Sequence, residues 1–137
     1  MKLVFCTLFD SNYLDKGLAM YRSLNEVCED FVLYILAMDK RCENILKAYQ
    51  YPNLSIINLE EFIGQMKLQE AEKNRSRGEF CWTCSSHLID FVISVCNESL
   101  CTYVDADLFF YKDPKCLIDE MGEKTVQIVE HRFKNDM

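Results

Sequence analysis

The chain has 137 residues, half of them apolar, and 15 Lys and Arg against 22 Asp and Glu leave a net charge of −7. That length and apolar content fit one globular domain with its own core. The acidic balance removes the broad basic surface that a phosphate backbone selects, so no nucleic-acid partner is expected. The longest apolar runs, such as Phe31 to Met38, fall short of the ~20 residues that cross a bilayer, so no transmembrane segment is expected. Lys2 leads into a short apolar run that turns polar by Asp10, with no small-residue cleavage site, and reads as a mature cytosolic start. The expected location is cytoplasmic.

In chain order, residues 2 to 8 form a β-branched and aromatic run without polar alternation, the pattern of a buried strand. Asp10-Ser11-Asn12 supplies cap chemistry, and from Leu14 the apolar positions Leu18, Tyr21, Leu24 and Cys28 follow helical spacing. Phe31 to Met38 reads as a second strand, Asp39 to Tyr49 as a second helix, Tyr51-Pro52-Asn53 as a turn, and Leu54 to Leu59 as a third strand. Gln65 to Arg77 is polar and charge-dense, a solvated helix or an excursion. Phe80, Cys84, Leu88, Phe91 and Val95 restore helical spacing and lead into a strand over Leu100 to Val104. Asp113-Pro114 opens a helix, with Asp as cap and Pro at the first helical position. Thr125 to Val129 reads as a last strand, closed by Glu130-His131-Arg132. Strands alternating with helices predict an α/β fold: a Rossmann-like, mostly parallel sheet with helices on both faces, in one domain over residues 1–137.

The eight cysteines stand mostly where a helix or strand buries a small side chain, as Cys6 does among Val4, Phe5 and Leu8, and so read as packing residues. Cys81 and Cys84 have redox or zinc spacing, but no second pair matches them beyond the lone His87.

The most informative segment is Tyr103-Val104-Asp105-Ala106-Asp107-Leu108-Phe109-Phe110. It places two carboxylates, one residue apart, at the end of an apolar strand, where open α/β sheets bind their ligands. Alternation along an extended chain points Asp105 and Asp107 to one side, and the apolar flanks draw the pair toward the core. Like charges so placed call for a divalent cation, Mg²⁺ or Mn²⁺, carrying a phosphate. The alternative is a strand-end turn with both carboxylates facing water.

This stretch, followed by Asp113-Pro114, resembles the Asp-x-Asp region of nucleotide-sugar-dependent glycosyltransferases of the GT-A fold. The opening Thr7-Leu8-Phe9-Asp10-Ser11-Asn12-Tyr13 and the helix ending Arg22-Ser23-Leu24 resemble the start of the same enzymes, closest to the retaining family that includes glycogenin and bacterial lipopolysaccharide galactosyltransferases. The resemblance implies a metal-dependent transfer of sugar from a UDP-sugar donor to a hydroxyl of a glycan or lipid-linked saccharide acceptor. It implies Asp105 and Asp107 as metal ligands, with Asp105 and Ala106 close to the nucleotide sugar, Thr7 and Asp10 lining the nucleotide pocket, and Tyr13 stacking on uracil. Arg75 and Arg77 stand where similar enzymes often place a basic residue that contacts the donor diphosphate or sugar, a role that suits the bidentate guanidinium. Each has a structural alternative: a strand residue, a helix cap, a core ring, a solvated charge run. His131 reads either as a metal or sugar contact or as a surface histidine.

Enzymes of this kind use about twice this length of chain, as α/β domains often exceed ~200 residues. The chain therefore reads as the N-terminal part of a longer glycosyltransferase domain, or as a shortened homologue that binds donor without transferring it. No catalytic residue is assigned, and self-association is expected if a face is left uncovered. Two rivals stand: a non-catalytic nucleotide-sugar binding or interaction module, and a haloacid-dehalogenase-type phosphatase with Asp105 as nucleophile. The phosphatase pattern places Thr or Val four residues after the first Asp, where this sequence has Phe109, and sets the motif near the N-terminus.

Overall fold

The computed structural model describes residues 2–126. Four strands, β1 (Leu3–Phe9), β2 (Phe31–Ala37), β3 (Leu54–Ile57) and β4 (Thr102–Tyr103), form one sheet in the order β3-β2-β1-β4. Every pairing is parallel: β1 runs beside β2 from Leu3↔Phe31 to Phe9↔Ala37, β2 beside β3 from Leu33↔Leu54 to Leu36↔Ile57, and β1 beside β4 at Phe5↔Thr102 and Cys6↔Tyr103. Parallel strands need crossovers, and helices supply them: α1 (Leu14–Val27) and α2 (Lys40–Tyr49) singly, and α3 (Leu59–Met66), α4 (Gln69–Asn74) and α5 (Arg77–Ser94) in series before β4, which α6 (Lys115–Met121) follows. The architecture is the α/β arrangement that the strand and helix alternation predicts.

The strand period of two divides the core into two layers. Leu3, Phe5 and Phe9 face one layer with Leu33 and Ile35, packed on Tyr21 and Leu24 of α1 and Cys42 and Leu46 of α2. Cys6 and Leu36 face the other, against Phe62 of α3 and Phe80, Cys84, Leu88 and Phe91 of α5. Each large side chain so buried contributes about 1.5–3 kcal/mol of transfer free energy. Val92 occupies the core position expected of Val95, which is exposed at the end of α5.

Several boundaries are set by polar chemistry inside runs that look uniformly apolar or polar. Asn58 caps α3 by accepting from the Glu61 N–H at 2.9 Å, so the apolar run from Leu54 stops being strand at Ile57 and Leu59 begins a helix. Ser76 and Glu79 form a reciprocal capping box at the start of α5. Glu43, buried at the foot of α2, accepts from Lys47, Lys40 and Asn58 and ties α2 to the start of α3; these bonds, the Lys47 contact foremost, hold its carboxyl down at about 2 despite burial. β4 is only two residues long, and Thr125 and Val126 lie outside any strand. The rest of the expected last strand, with His131, lies outside the described residues.

Of the cysteines, Cys6, Cys28, Cys42 and Cys84 are buried, as expected of packing residues, whereas Cys81, Cys96 and Cys101 are half-buried and Cys116 is exposed. No helix among the described residues is long and apolar enough to cross a membrane. Between α5 and α6, the outer edge of β4 faces an apolar groove of about 340 Å³.

Gly17 is where α1 meets the sheet: a Cβ there would sit 2.4 Å from the ring of Phe9, itself buried at the end of β1. Gly17→Ala should therefore lower stability by about 1–3 kcal/mol, overriding the helix propensity of Ala. The control Gly64→Ala, where a Cβ meets nothing within 4 Å, should raise it by about 0.5–1 kcal/mol. Urea melts of both variants test the contrast; equal behaviour would contradict it.

Candidate functional site

β2 and β3 extend from one edge of β1 and β4 from the other, so the order of strands reverses between β1 and β4. At such a switch point a crevice opens beyond the carboxyl ends of the strands. A cleft of about 300 Å³ lies there. Its walls are the end of β1 (Leu8, Phe9, Asp10), Tyr13 after it, Met38 after β2, Cys81 of α5, and Tyr103 with Asp105, Ala106 and Asp107 after β4. The volume is at the lower end of what a small-molecule site needs.

Each acidic side chain arrives by a different local device. Asp10 ends β1 and caps the 3-10 turn Ser11–Tyr13, with Oδ1 accepting from the Asn12 N–H at 2.9 Å. Its Oδ2 accepts from the Arg77 guanidinium at the N-terminus of α5, a contact 67 residues apart in sequence. Asp39, just after β2, accepts from the Cys42 N–H at 2.7 Å, capping α2, and from the Ser11 N–H at 3.1 Å and Ser11 Oγ at 2.8 Å. Partial burial raises its pKa, but the hydrogen bonds from Cys42 and Ser11 and the charge of Arg77 win and hold the carboxyl below the usual range. The loops after β1 and β2 are thereby locked to each other and to α5.

Asp105 and Asp107 reach the cleft differently from the expected alternation. β4 stops at Tyr103, and Asp105 to Leu108 form a turn closed by the Leu108 N–H on the Asp105 carbonyl at 3.2 Å. The turn, not an extended strand, brings both carboxylates to the same cleft. Val104 and Phe110 on either side do pack on the core, but the pair is not drawn inward with them: Leu108 and Phe109 are exposed, and both aspartates are solvent-accessible at the rim. Burial pushes the Tyr103 hydroxyl up, with the charge of Asp105 adding to it, and burial followed by the charge of Asp10 raises the Cys81 thiol.

The expected site residues thus divide. Asp10, Tyr13, Asp105, Ala106 and Asp107 line one cleft, and Arg77 stands on its edge through Asp10. Tyr13 is a half-exposed ring at the rim, with Lys16 Nζ 4.8 Å from its centroid, and not a core ring. Thr7 does not line the cleft: it is fully buried on the α1 and α2 side of β1, with no hydrogen-bond partner for its hydroxyl among the described residues. It sits deeper in β1: Phe9, two residues on and on the same face, lines the cleft with Leu8 and Asp10, whereas Thr7 lies below them in the core. Arg75 is also turned away, its guanidinium donating to Thr83 Oγ1 at 2.7 Å along α5. His131 lies outside the described residues. Met38 and Cys81 were not among the expected site residues: Met38 directly follows β2, where the strand-end rule could have found it, and only the tertiary placement of α5 brings in Cys81.

The donor chemistry at the rim suits a hard divalent cation. Asp105 and Asp107 offer oxygen ligands with open access to water, the set from which Mg²⁺ is held by one or two carboxylates and substrate phosphates. Among the described residues, no group of three His, Cys, Asp or Glu side chains is placed to share an ion. Cys81 and Cys84 show no such cluster either, and His87 Nδ1 is engaged by the Thr83 carbonyl at 2.8 Å.

No protein-family model matches the chain. Two Bacillus subtilis (strain 168) proteins described as uncharacterized are similar over most of it: YfnD, 29% identical over 129 residues, and YfnF, 28% identical over 127 residues. These matches take in 93% and 92% of this chain but 41% and 42% of the relatives. The chain spans about two fifths of the length of the curated relatives it matches. Among solved structures, the apo form of the bifunctional glycosyltransferase WbbM aligns with a TM-score of 0.49 at 17% identity, over 86% of this chain and 21% of that one.

Asp39 is the tie between the loops that shape the cleft. Asp39→Ala should cost about 0.5–2 kcal/mol through the lost α2 cap, and more where the Ser11 bonds go with it. Thermal or urea unfolding checks this; a change within experimental error would mean that the tie carries no stability.

Proposed function

We propose that the cleft is the donor site of a glycosyl transfer, binding a UDP-sugar together with Mn²⁺ or Mg²⁺ and presenting it to a hydroxyl of a glycan or lipid-linked saccharide. The observation that carries this reading is the convergence of Asp105 and Asp107 with Asp10 and Tyr13 on one cleft at the sheet's switch point. The resemblance of the same residues to GT-A glycosyltransferase motifs supports it independently of the geometry.

In this reading the chain's residues divide the work by chemistry. Asp105 and Asp107 would hold the divalent cation by their carboxylates, and the ion would supply the positive charge that a departing diphosphate needs. The half-exposed Tyr13 offers an aromatic face to a base. Arg77, tethered to Asp10 on the same rim, offers a second cation to phosphate oxygens in a bidentate fork. Its pairing with Asp10 keeps it beside the cleft when no anion is bound. Ala106, small and between the two ligands, leaves room for the sugar to approach the backbone.

Titration of UDP into the protein by calorimetry, with and without Mn²⁺, tests the reading. Binding should require the metal, and Asp107→Asn should weaken it by about two orders of magnitude, the loss of a charged ligand. Metal-independent binding, or an Asp107→Asn protein that binds as well as the parent, would sink the assignment.

A further inference from the structure

We propose that Phe109 and Tyr111 form an aromatic platform for a neutral pyranose ring, the saccharide acceptor, beside the cleft. The proposal rests on the donor-site reading above and locates its second substrate.

The platform is built, not merely exposed. Beyond the turn at Asp105 to Leu108, the chain is pinned at Phe110: its N–H donates to the buried Ser23 Oγ at 2.9 Å, and its ring meets Phe5 edge-on at 6.0 Å. With Phe110 turned inward, its neighbours on either side stand exposed. Phe109 and Tyr111 are 53% and 82% exposed, yet their rings pack on each other with centroids 4.8 Å apart and planes at 47°. Tyr111 forgoes most, and Phe109 about half, of the ~1.5–3 kcal/mol that full burial of a large apolar side chain contributes. Such a pair facing solvent, on a backbone tied to the core at one residue, is the arrangement of a recognition surface.

Charge and position select the occupant. Aromatic faces carry negative electrostatic potential and attract polarised C–H groups, which a pyranose presents on one face. The net charge of −7 sets two copies of the chain against each other, and an anionic membrane surface is repelled by the same charge. A neutral sugar meets neither penalty. Phe109 is two residues beyond Asp107 and so within about 7.6 Å of it along the chain, close enough for a saccharide seated there to reach the cleft mouth.

The test compares the parent chain with Phe109→Ser/Tyr111→Ser on an array of neutral oligosaccharides, with Mn²⁺ and UDP present, while calorimetry follows UDP affinity in both. Both positions are exposed, and far-ultraviolet circular dichroism confirms that the double variant is folded. The parent should retain a defined set of glycans, the double variant should bind them at least about tenfold more weakly, and UDP affinity should agree within twofold. Glycan binding that is equal in both proteins, or absent in a parent that binds UDP, overturns the platform. So does an aromatic-dependent self-association or partition onto phosphatidylserine vesicles in place of glycan binding. If glycans bind in an aromatic-dependent way while neither protein binds UDP, the platform stands as a saccharide site and the donor reading falls instead.

Discussion

β1 is hydrogen-bonded along both edges and buried on both faces, and the cleft takes its shape from that one constraint. A strand so enclosed has nowhere to shift without moving two layers of core. Its carboxyl end is therefore a fixed point, and Asp10 leaves it in a fixed direction. β4 adds only two paired residues, but they are enough to set the following turn against β1 and bring Asp105 and Asp107 across from Asp10. The loop after β2 is drawn in by the Asp39 carboxylate, which spans 28 residues to Ser11.

The electrostatics follow from the same geometry. Three carboxylates, Asp10, Asp105 and Asp107, share the rim, and Arg77 pairs with one of them, Asp10. That pairing answers Asp10 and leaves the Asp105 and Asp107 pair facing open water. Under the proposed donor reading, such a pair would take a small cation first and an anionic ligand through it. An acidic chain can in this way bind a diphosphate without a basic surface, which reconciles the overall charge with the proposed donor.

Much of the fold was legible because its signals are periodic. The apolar runs of β1 and β2, the helical spacing from Leu14 and from Phe80, and the alternation of strand with helix all survive in the structure. The boundaries that sequence reading missed depend on single polar residues. Asn58 ends β3 early by capping α3, and the signal was present in Asn58 followed by Glu61. Ser76 and Glu79 carried a capping-box spacing inside a segment that reads only as polar. At the site, the residue types of Asp10, Asp105 and Asp107 were readable, but the manner of their convergence was not. Alternation assumes extended chain, and the turn at Asp105 replaces it. Thr7 and Arg75 went the other way: their positions near the motifs drew attention, while depth within β1 and a hydrogen bond to Thr83 keep them out of the cleft.

The central claim is that Asp105 and Asp107 hold a divalent cation at the switch point of the sheet. Substoichiometric Mn²⁺ added to isotopically labelled protein tests it directly, because paramagnetic broadening of amide signals falls steeply with distance from the ion. The account predicts broadening concentrated on Asp10 and on Tyr103 through Leu108, removed by excess Mg²⁺. Broadening spread evenly over the acidic surface, or centred away from these residues, would contradict it.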